Sequence, residues 1–573
     1  MKKRLPSEER KWLQYYNGVK DEDDFSEYSL YEAIHHVDDE SRKALSFFGI
    51  SISYKKLYEY IDMTAKAFFQ NGIRKGDVVM LMLPTLPESI YCFYALNKIG
   101  AVSNMVDVRS TPSRVVEIAK KTRPKMLVVM SFYLKQLETV RRQLDLEKIV
   151  VLRGCDTMPS SVTFWYKLAE HFNGRRKIIN SSPAYSFWPE FLATGLKCKI
   201  VQNENVVSNE TAVIYQTSGT TGFPKSVLHI NESLNYSVRQ RFKYLNNPQS
   251  GDTILSILPI FTLFGFVYSI HMPLLYGMTI LIVPYFKPNQ MSDLIRKNKP
   301  NFIFGVPSHW EEFAEKQDGK GDMSFIKDII VAGEVIDRNL RLKVNKLLHD
   351  NKSQASIRVD YGMTETGGTI SLMMNNATDE DSCNNGYSGV PLPYLIVCIY
   401  DNEAKCELGY NCKGEICVQT PCALKEYLLD KTETENLRRK HPDGSEWIHT
   451  GDIGYLTEKG HLYVIGRSKR MIVRYDGTKL FPIEMESVIR GVDGVGECSV
   501  VPIADPNHSQ GGLPFVFVVS DGTVNPICLR KDIIKQCTLQ LPVFLQPYEV
   551  RVVEQLPHNS MGKIDYRKLI EMI

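Results

Sequence analysis

The chain has few of the features that mark a disulfide-rich, nucleic-acid-binding or exported protein. Its twelve cysteines in 573 residues include no Cys-x-x-Cys pair, and its charged residues, 24% of the total with a formal net charge of +3, form no basic block. A disulfide framework needs dense cysteine and a nucleic-acid footprint needs a basic patch, so neither class is expected. The basic start Met1–Arg4 continues into Ser-Glu-Glu-Arg, not into the apolar segment of a secretory signal. We therefore expect a globular cytoplasmic protein with reduced cysteines.

One long segment lacks charge altogether. No Asp, Glu, Lys or Arg occurs from Thr253 to Phe286, which is long enough to span a bilayer. Five breaking residues divide it, namely Pro259, Gly265, Pro273, Gly277 and Pro284. The pieces have the size of strands and helices, so the sequence predicts a buried strand–helix–strand of an α/β core and no membrane span. A peripheral membrane contact is left open.

Four cysteines within seventeen residues suggest a zinc site, namely Cys406, Cys412, Cys417 and Cys422. Their spacings are unlike those of zinc ribbons and fingers. Cys417 also lies within Gly414–Val418, which has the pattern of a strand, and a small buried thiol is the usual state of such a residue. A buried thiol is therefore expected in place of a metal ligand.

The length and the apolar runs indicate several α/β layers. A chain of 573 residues exceeds one ordinary core, so two or more domains are expected. The apolar runs Val78–Leu83 and Met126–Met130 have the composition of buried parallel strands, and they alternate with the helix-like stretches Pro87–Ile99 and Ser113–Lys121. This alternation predicts a parallel α/β fold.

The most informative segment is a loop rich in hydroxyls and glycine that ends on a lysine, Thr217-Ser218-Gly219-Thr220-Thr221-Gly222-Phe223-Pro224-Lys225. Hydroxyls, bare N–H groups and a lysine can surround phosphate oxygens. A Walker A loop requires glycine before its lysine, and here Pro224 stands there without an N–H. The loop predicts phosphate binding of another kind.

Together with later segments, this loop resembles the adenylate-forming superfamily of AMP-dependent synthetases and ligases, most closely the stand-alone acyl-CoA synthetases. The segments occur in the order of the family: Tyr215–Lys225, Tyr361–Glu365, Thr450–Asp452, Gly466–Lys469, Gly477–Glu486 and Gly562–Lys563. The resemblance implies a large N-terminal AMP-binding domain (residues 1–466) of layered α/β subdomains. It also implies a small mobile α+β domain (residues 467–573) with a hinge near Lys469.

The activity implied by the resemblance is ATP- and Mg²⁺-dependent activation of a carboxylic acid to acyl-AMP, with release of pyrophosphate, followed by transfer to CoA. A fatty-acyl substrate is expected first. The open alternatives are an aryl-acid CoA ligase and a ligase that loads the phosphopantetheine of a separate carrier protein. A luciferase-like oxygenase also shares the first half-reaction. A non-catalytic relative is disfavoured because Lys563, Glu365 and Asp452 are all present.

The resemblance also assigns roles to individual residues. ATP is expected at Thr217, Ser218, Gly219, Thr220, Thr221, Gly222, Lys225, Tyr361, Gly362, Asp452 and Arg467. Lys563, Thr364 and Glu365 are the expected catalytic residues, and Glu365 would hold Mg²⁺. The expected acid pocket comprises Phe261, Thr262, Gly333, Met363 and Gly368, and Gly477 lies in the loop expected to admit the thiol acceptor.

Three positions depart from the pattern of the family. Ser226 replaces a glycine, and Asn231 and Thr262 stand where many relatives have histidine. Amino-acid-activating relatives have an aspartate at the position of Thr262, where it pairs with the substrate ammonium. A buried unpaired ammonium is costly, so amino acids are not expected substrates. The apolar stretch Phe261–Phe266 instead suits an acyl or aryl acid.

Overall fold

The computed structural model describes residues 5–16, 27–144, 146–154, 156, 184–198, 206–217, 225–315, 321–334, 336–374, 386–476, 478–508, 510–558 and 564–573. The strands in these ranges are β1 (Lys43–Phe47), β2 (Ile50–Ser53), β3 (Val78–Met82), β4 (Val102–Met105), β5 (Met126–Met130), β6 (Lys148–Leu152), β7 (Tyr185–Phe187), β8 (Thr211–Gln216), β9 (Ser226–Ile230), β10 (Thr253–Ser256), β11 (Thr279–Ile282), β12 (Phe302–Gly305), β13 (Asp328–Val331), β14 (Ile357–Met363), β15 (Gly368–Leu372), β16 (Val390–Pro391), β17 (Ile396–Asp401), β18 (Cys406–Glu407), β19 (Gly414–Gln419), β20 (Glu426–Tyr427), β21 (Arg438–Lys440), β22 (Glu446–Leu456), β23 (Leu462–Arg467), β24 (Ile472–Val473), β25 (Lys479–Leu480), β26 (Val495–Ala504), β27 (Gly512–Ser520) and β28 (Glu549–Val553).

The α-helices of the same ranges are α1 (Pro6–Glu9), α2 (Leu30–Ala33), α3 (Tyr54–Gln70), α4 (Pro87–Lys98), α5 (Pro112–Thr122), α6 (Leu134–Glu138), α7 (Trp188–Gly195), α8 (Asn231–Phe242), α9 (Leu263–Phe266), α10 (Met272–Leu275), α11 (Met291–Asn298), α12 (Ser308–Glu315), α13 (Arg338–Asp350), α14 (Lys431–Leu437), α15 (Pro482–Arg490), α16 (Pro526–Gln540) and α17 (Tyr566–Glu571). The predicted strands at Val78 and Met126 and the predicted helices after Pro87 and Ser113 are confirmed as β3, β5, α4 and α5.

The chain forms two compact units. The larger unit comprises Tyr16–Asn375 and Gln419–Asn436, and the smaller unit comprises Met1–Tyr15, Asn376–Val418 and Leu437–Ile573. Each unit is assembled from segments distant in the sequence, so neither could be delimited from composition alone.

The larger unit contains two sheets that are mainly parallel. One has the strand order β15-β14-β13-β12-β10-β11-β1-β2, with antiparallel pairs only at its two ends. The other has the order β20-β9-β8-β4-β3-β5-β6-β7 and is antiparallel only from β8 to β20. Apolar residues of both sheets and of helices α3 and α4 share one continuous core. Parallel strands buried on both faces confirm the α/β prediction.

The smaller unit is built from antiparallel and mixed sheets. Strands β18-β17-β19-β22-β21 form one sheet, and β23 pairs with β22. A three-stranded sheet has the order β26-β27-β28, in which β26 and β27 are antiparallel and β28 is parallel to β27. Two apolar clusters of this unit draw only on residues after Met471. The predicted domain boundary near Arg467 is compatible with these separate cores and stays a prediction.

The charge-free segment is a strand–helix–strand, as predicted. Strands β10 and β11 are parallel neighbours, and the connection between them is helical from Leu263 to Leu275. Its middle turn, Val267–His271, is π-helical, a widening often found at functional sites. In the described part of the chain, none of the helices combines the length and the apolar character needed to cross a membrane.

Two fully buried histidines make the larger unit sensitive to acid. Burial lowers the pKa of His271 to about 3 and that of His229 to about 4. Both values lie below the unfolded value of about 6.5, so the neutral rings contribute stability at pH 7 that is lost as the pH falls below that value.

We expect acidification from pH 7.5 to pH 5 to lower the free energy of unfolding by about 2 kcal/mol for each of these histidines. Denaturant unfolding at several pH values measures it. His271 contacts Tyr94 Oη and Asn235 Oδ1, each at 2.9 Å, and glutamine can replace these contacts without titrating. The His271→Gln variant should therefore have the shallower pH profile, and identical profiles would contradict the assignment.

Candidate functional site

The base of the predicted phosphate loop lies at the end of β8. Thr217 N donates a hydrogen bond to Lys225 O over 2.9 Å, so the first and last residues of the loop are held side by side. β9 begins directly after Lys225 and runs antiparallel to β8. The residues between them, Ser218, Gly219, Thr220, Thr221 and Gly222 among them, lie outside the described residues.

Lys225 and Glu365 are brought together around Tyr427. The ammonium of Lys225 lies 4.7 Å from the centroid of the Tyr427 ring and forms an ion pair with Glu433. The Tyr427 hydroxyl donates to Glu365 Oε1 over 2.8 Å. Strand β20 pairs with β9, which places Tyr427 beside the loop base. A lysine ammonium and a largely buried carboxylate, the groups predicted to contact phosphate and Mg²⁺, therefore lie in one region of the larger unit.

The turn that carries Thr364 and Glu365 is fixed from both sides. Leu424 N donates to Glu365 O over 2.9 Å, and Thr364 O accepts a hydrogen bond from His229 Nε2 over 2.8 Å. This bond places the proton of the neutral His229 ring on Nε2. Tyr361, Gly362 and Met363 end β14 immediately before the turn. The sequence reasoning missed Tyr427, Glu433 and His229, because nothing in their local sequence distinguishes them from ordinary polar residues.

We expect Tyr427→Phe to lower kcat/KM for Mg·ATP about tenfold or more, because a hydrogen bond to a charged group contributes about 1.5–3 kcal/mol. Pyrophosphate release measured against Mg²⁺ concentration tests this. Tyr548→Phe, at a half-exposed ring, is the matched control and should change nothing. An unchanged Mg²⁺ dependence in Tyr427→Phe would contradict the role of Tyr427 in orienting Glu365.

The predicted acid-pocket glycine Gly368 packs against an aromatic group. Its φ of +124° disfavours other residues, and an added Cβ would lie 2.4 Å from Tyr268 Oη. The Tyr268 ring lies near Phe264 and Phe304, with centroid distances of 5.5 and 6.1 Å. Gly333, with a φ of +90°, faces Val306, which directly follows the strand of Phe304. Aromatic rings therefore lie beside the glycines of the predicted acid pocket, and the groups nearest Gly368 are the hydroxyls of Tyr268 and Ser237.

The positions that depart from the pattern of the family have structural roles here. Thr262 caps helix α9, since its Oγ1 accepts from Gly265 N over 3.1 Å and donates to Pro259 O over 2.8 Å. Ser226 Oγ donates to Gln216 Oε1 over 2.9 Å.

The side chain of Asn231 also forms hydrogen bonds within the larger unit. Its side-chain oxygen accepts from Leu30 N over 3.1 Å and from Asn97 Nδ2 over 2.7 Å. These hydrogen bonds give the side chains of Thr262, Ser226 and Asn231 a structural role in the larger unit. Their presence therefore does not depend on a function in nucleotide binding.

The predicted ribose-binding residues lie on neighbouring strands of the smaller unit. Asp452 on β22 and Arg467 on β23 are paired in register, and Arg467 Nε lies 2.8 Å from Asp452 Oδ1. The Asp452 side chain is buried, whereas nearly half of the Arg467 side chain is exposed. Gly451, between Thr450 and Asp452, has a φ of +71° and donates its N–H to Glu415 Oε1 over 2.9 Å. This irregularity within β22 positions the buried carboxylate.

The predicted hinge residue Lys469 lies in a short 3₁₀ turn, Ser468–Arg470, directly after β23. Gly477 and Lys563 lie outside the described residues. The structure thus assembles the Thr217, Lys225, Thr364 and Glu365 group in the larger unit and the Asp452 and Arg467 pair in the smaller unit. The roles of these residues stay predictions.

Comparison with known proteins identifies the class. A family model described as AMP-binding enzyme matches residues 35–428, and a second, described as AMP-binding enzyme C-terminal domain, matches residues 484–563. The first alone covers more than half of the chain. The chain therefore belongs to the AMP-binding enzyme family, and the predicted enzyme class, an AMP-forming ligase, is confirmed.

Similar proteins extend over nearly the whole chain. The 4-coumarate–CoA ligase 3 of Arabidopsis thaliana is 26% identical over 540 residues, which cover 93% of this chain and 89% of that protein. The 4-coumarate–CoA ligase CCL1 of Humulus lupulus is 26% identical over 524 residues, covering 90% and 88%. The crystal structure of the anthranilate CoA ligase AuaEII with anthranoyl-AMP has a TM-score of 0.82 and 19% identity, covering 97% of this chain and 99% of that one. These matches confirm the predicted fold class, a large α/β N-terminal region followed by a smaller C-terminal domain.

Proposed function

We propose that this protein activates an aromatic carboxylic acid with ATP to an acyl-AMP, releases pyrophosphate, and then transfers the acyl group to CoA. The observation that carries the proposal is the grouping of Lys225 and Glu365 around Tyr427 at the base of the phosphate loop. A carboxylate substrate is already ionised at neutral pH, so the attack on the α-phosphate needs no general base. The site has to neutralise charge and hold the groups in line.

The larger unit supplies groups suited to that task. Lys225 and the hydroxyls of Thr217 and the rest of the loop would hold the β- and γ-phosphates. Glu365 would bind Mg²⁺, which favours one or two carboxylates together with phosphate oxygens. When bound, the ion neutralises charge on the phosphates. Thr364 would contact the α-phosphate from the turn fixed by His229.

The resemblance assigns the remaining contacts to residues of the smaller unit considered by itself. Asp452 and Arg467 would bind the ribose, a bidentate use of the carboxylate. Lys563 would contact the substrate carboxylate and the α-phosphate during adenylation only, and rotation about Lys469 would then bring the Gly477 loop to the thiol acceptor. The separate apolar clusters after Met471 support a small domain that could move as one body.

An aromatic acid is favoured by the wall of the pocket. Phe264, Tyr268 and Phe304 present ring edges and faces to one another beside Gly368, and offset or edge-on contacts with a substrate ring would extend this cluster. The names of the 4-coumarate–CoA ligases point the same way. The fatty acid expected from the sequence is the second candidate, since the charge-free segment Thr253–Phe286 forms part of the core near this wall.

The acceptor is proposed to be CoA, because relatives of nearly the same length bear the names of CoA ligases. A separate carrier protein is the alternative acceptor. It would give adenylate formation that CoA does not stimulate.

The test is carboxylate-dependent pyrophosphate release with ATP and Mg²⁺, with and without CoA. The panel comprises acetate, fatty acids of 8 and 16 carbons, benzoate, coumarate and a bile acid. The expected result is CoA-stimulated turnover on benzoate or coumarate. Preference for a fatty acid would overturn the assignment of an aromatic substrate but would be consistent with the proposed CoA-ligase activity. Adenylate formation without a response to CoA would favour the carrier protein, and no pyrophosphate release from any acid would contradict the proposed activity.

A further inference from the structure

A cysteine and two histidines meet inside the smaller unit, apart from the residues assigned to nucleotide binding. Cys417 lies on β19, His449 on β22 and His441 directly after β21. Cys417 and His449 are paired in register, and β21 is the other neighbour of β22. Adjacent strands therefore bring the three side chains to one place. We call them the Cys–His cluster, and all three residues are buried.

The distances within the Cys–His cluster match those of a metal site. The Cys417 sulfur and one ring nitrogen of each histidine lie within 4.8 Å of one another. The two Nε2 atoms of His441 and His449 are 3.2 Å apart. In a tetrahedral Zn²⁺ site two nitrogens are separated by about 3.3 Å and a sulfur and a nitrogen by about 3.5 Å, and Cys417 Sγ lies 3.4 Å from His449 Nδ1.

A carboxylate and aromatic rings orient the ligands. Cys417 Sγ and Glu415 Oε2 both approach His449 Nδ1, at 3.4 and 2.8 Å, and Asn402 Nδ2 donates to the same carboxylate oxygen over 2.7 Å. This contact holds the orientation of the His449 ring. The His441 ring is stacked on Tyr400, with a centroid distance of 3.9 Å.

We propose that the Cys–His cluster binds Zn²⁺ with Cys417 Sγ and one nitrogen each of His441 and His449 as ligands. A soft thiolate together with imidazoles is a ligand set that binds zinc, whereas magnesium and calcium prefer oxygen ligands. Binding replaces the thiol proton of Cys417, which passes to solvent, while both imidazoles bind as neutral rings. Water completes the tetrahedron.

The site would stabilise the irregular part of β22 that carries Asp452. Glu415 accepts from Gly451 N with one oxygen while the other contacts His449, so one carboxylate joins the cluster to this part of β22. Thr450 Oγ1 donates to Ile416 O over 2.8 Å, directly beside Cys417. The four-cysteine zinc site considered from the sequence is thereby replaced by a different one. It shares only Cys417, and Cys406 and Cys412 are exposed.

The test uses the full chain freed of metal and titrated with Co²⁺. We expect one equivalent to give visible d–d bands of a tetrahedral ion and a near-ultraviolet sulfur-to-cobalt charge-transfer band, and Zn²⁺ to abolish both. Cys417→Ser should lose the charge-transfer band, and His441→Gln should weaken Co²⁺ binding at least tenfold. Cys406→Ser, at an exposed thiol on β18, is the matched control and should bind as the parent does.

Circular dichroism of each variant shows whether it is folded. Absence of the charge-transfer band in the parent chain at one equivalent would overturn the proposal. Its full retention in folded Cys417→Ser would do the same. If Cys417→Ser does not fold, His441→Gln decides: unchanged Co²⁺ affinity would overturn the site, and a tenfold loss supports it.

Discussion

Replacing Lys563 by alanine is expected to slow adenylate formation about 10²- to 10³-fold, the loss typical of one preorganised charge-stabilising group. The lysine would contact the α-phosphate and the carboxylate only in the adenylating pose, so its removal should leave thioester formation from pre-made acyl-AMP unchanged. Substrate-dependent pyrophosphate release measures the first step, and CoA thioester formation from synthetic acyl-AMP measures the second. Equal losses in both steps would contradict this role.

Two further variants test whether the effect is specific to Lys563 and whether the two steps can be separated. Lys568→Ala removes an exposed lysine of α17 from the same C-terminal segment and should leave both steps unchanged. Lys469→Pro restricts the proposed hinge and should give the converse pattern, with adenylation retained and thioester formation lost. Unaffected thioester formation in Lys469→Pro would move the hinge to another residue.

Replacing Arg358 by methionine is expected to destabilise the larger unit by about 3–5 kcal/mol, because it would leave Asp328 buried without its counter-charge. Arg358 Nη1 lies 2.6 Å from Asp328 Oδ2, and both side chains are almost wholly inaccessible. Arg358 also donates to Met373 O over 2.8 Å and to Tyr244 O over 2.9 Å. Denaturant unfolding measures the loss.

A neighbouring ion pair provides the control. Lys327 and Asp252 are 2.8 Å apart but partly exposed, so Lys327→Met should cost less than about 1 kcal/mol. The double variant Arg358→Met/Asp328→Leu removes both buried charges and should recover much of the loss. A loss in Arg358→Met no larger than that in Lys327→Met would show that burial does not strengthen this pair.

For the predicted acid pocket, the sequence identifies residues but not the side chains that surround them. Gly368 and Thr262 were assigned to the pocket from the resemblance alone. The structure adds that Gly368 has a φ of +124° against Tyr268, and that the Thr262 hydroxyl is occupied in capping α9. The Thr262 cap is local in sequence, but Tyr268 and Gly368 are a hundred residues apart in the chain. A single sequence does not state which distant side chain fills the space beside a glycine.

The class of this protein, its α/β elements and the positions of its motifs can be read from the amino-acid sequence alone. This is possible because phosphate loops, buried strands and helix boundaries depend on short runs of neighbouring residues, such as Thr217–Lys225 and Met126–Met130. The contacts of Tyr427 with Lys225 and Glu365, and the meeting of Cys417 with His441 and His449, are visible only in the folded chain. Those groupings follow from strand pairing between distant segments, because the register of a sheet fixes which side chains meet.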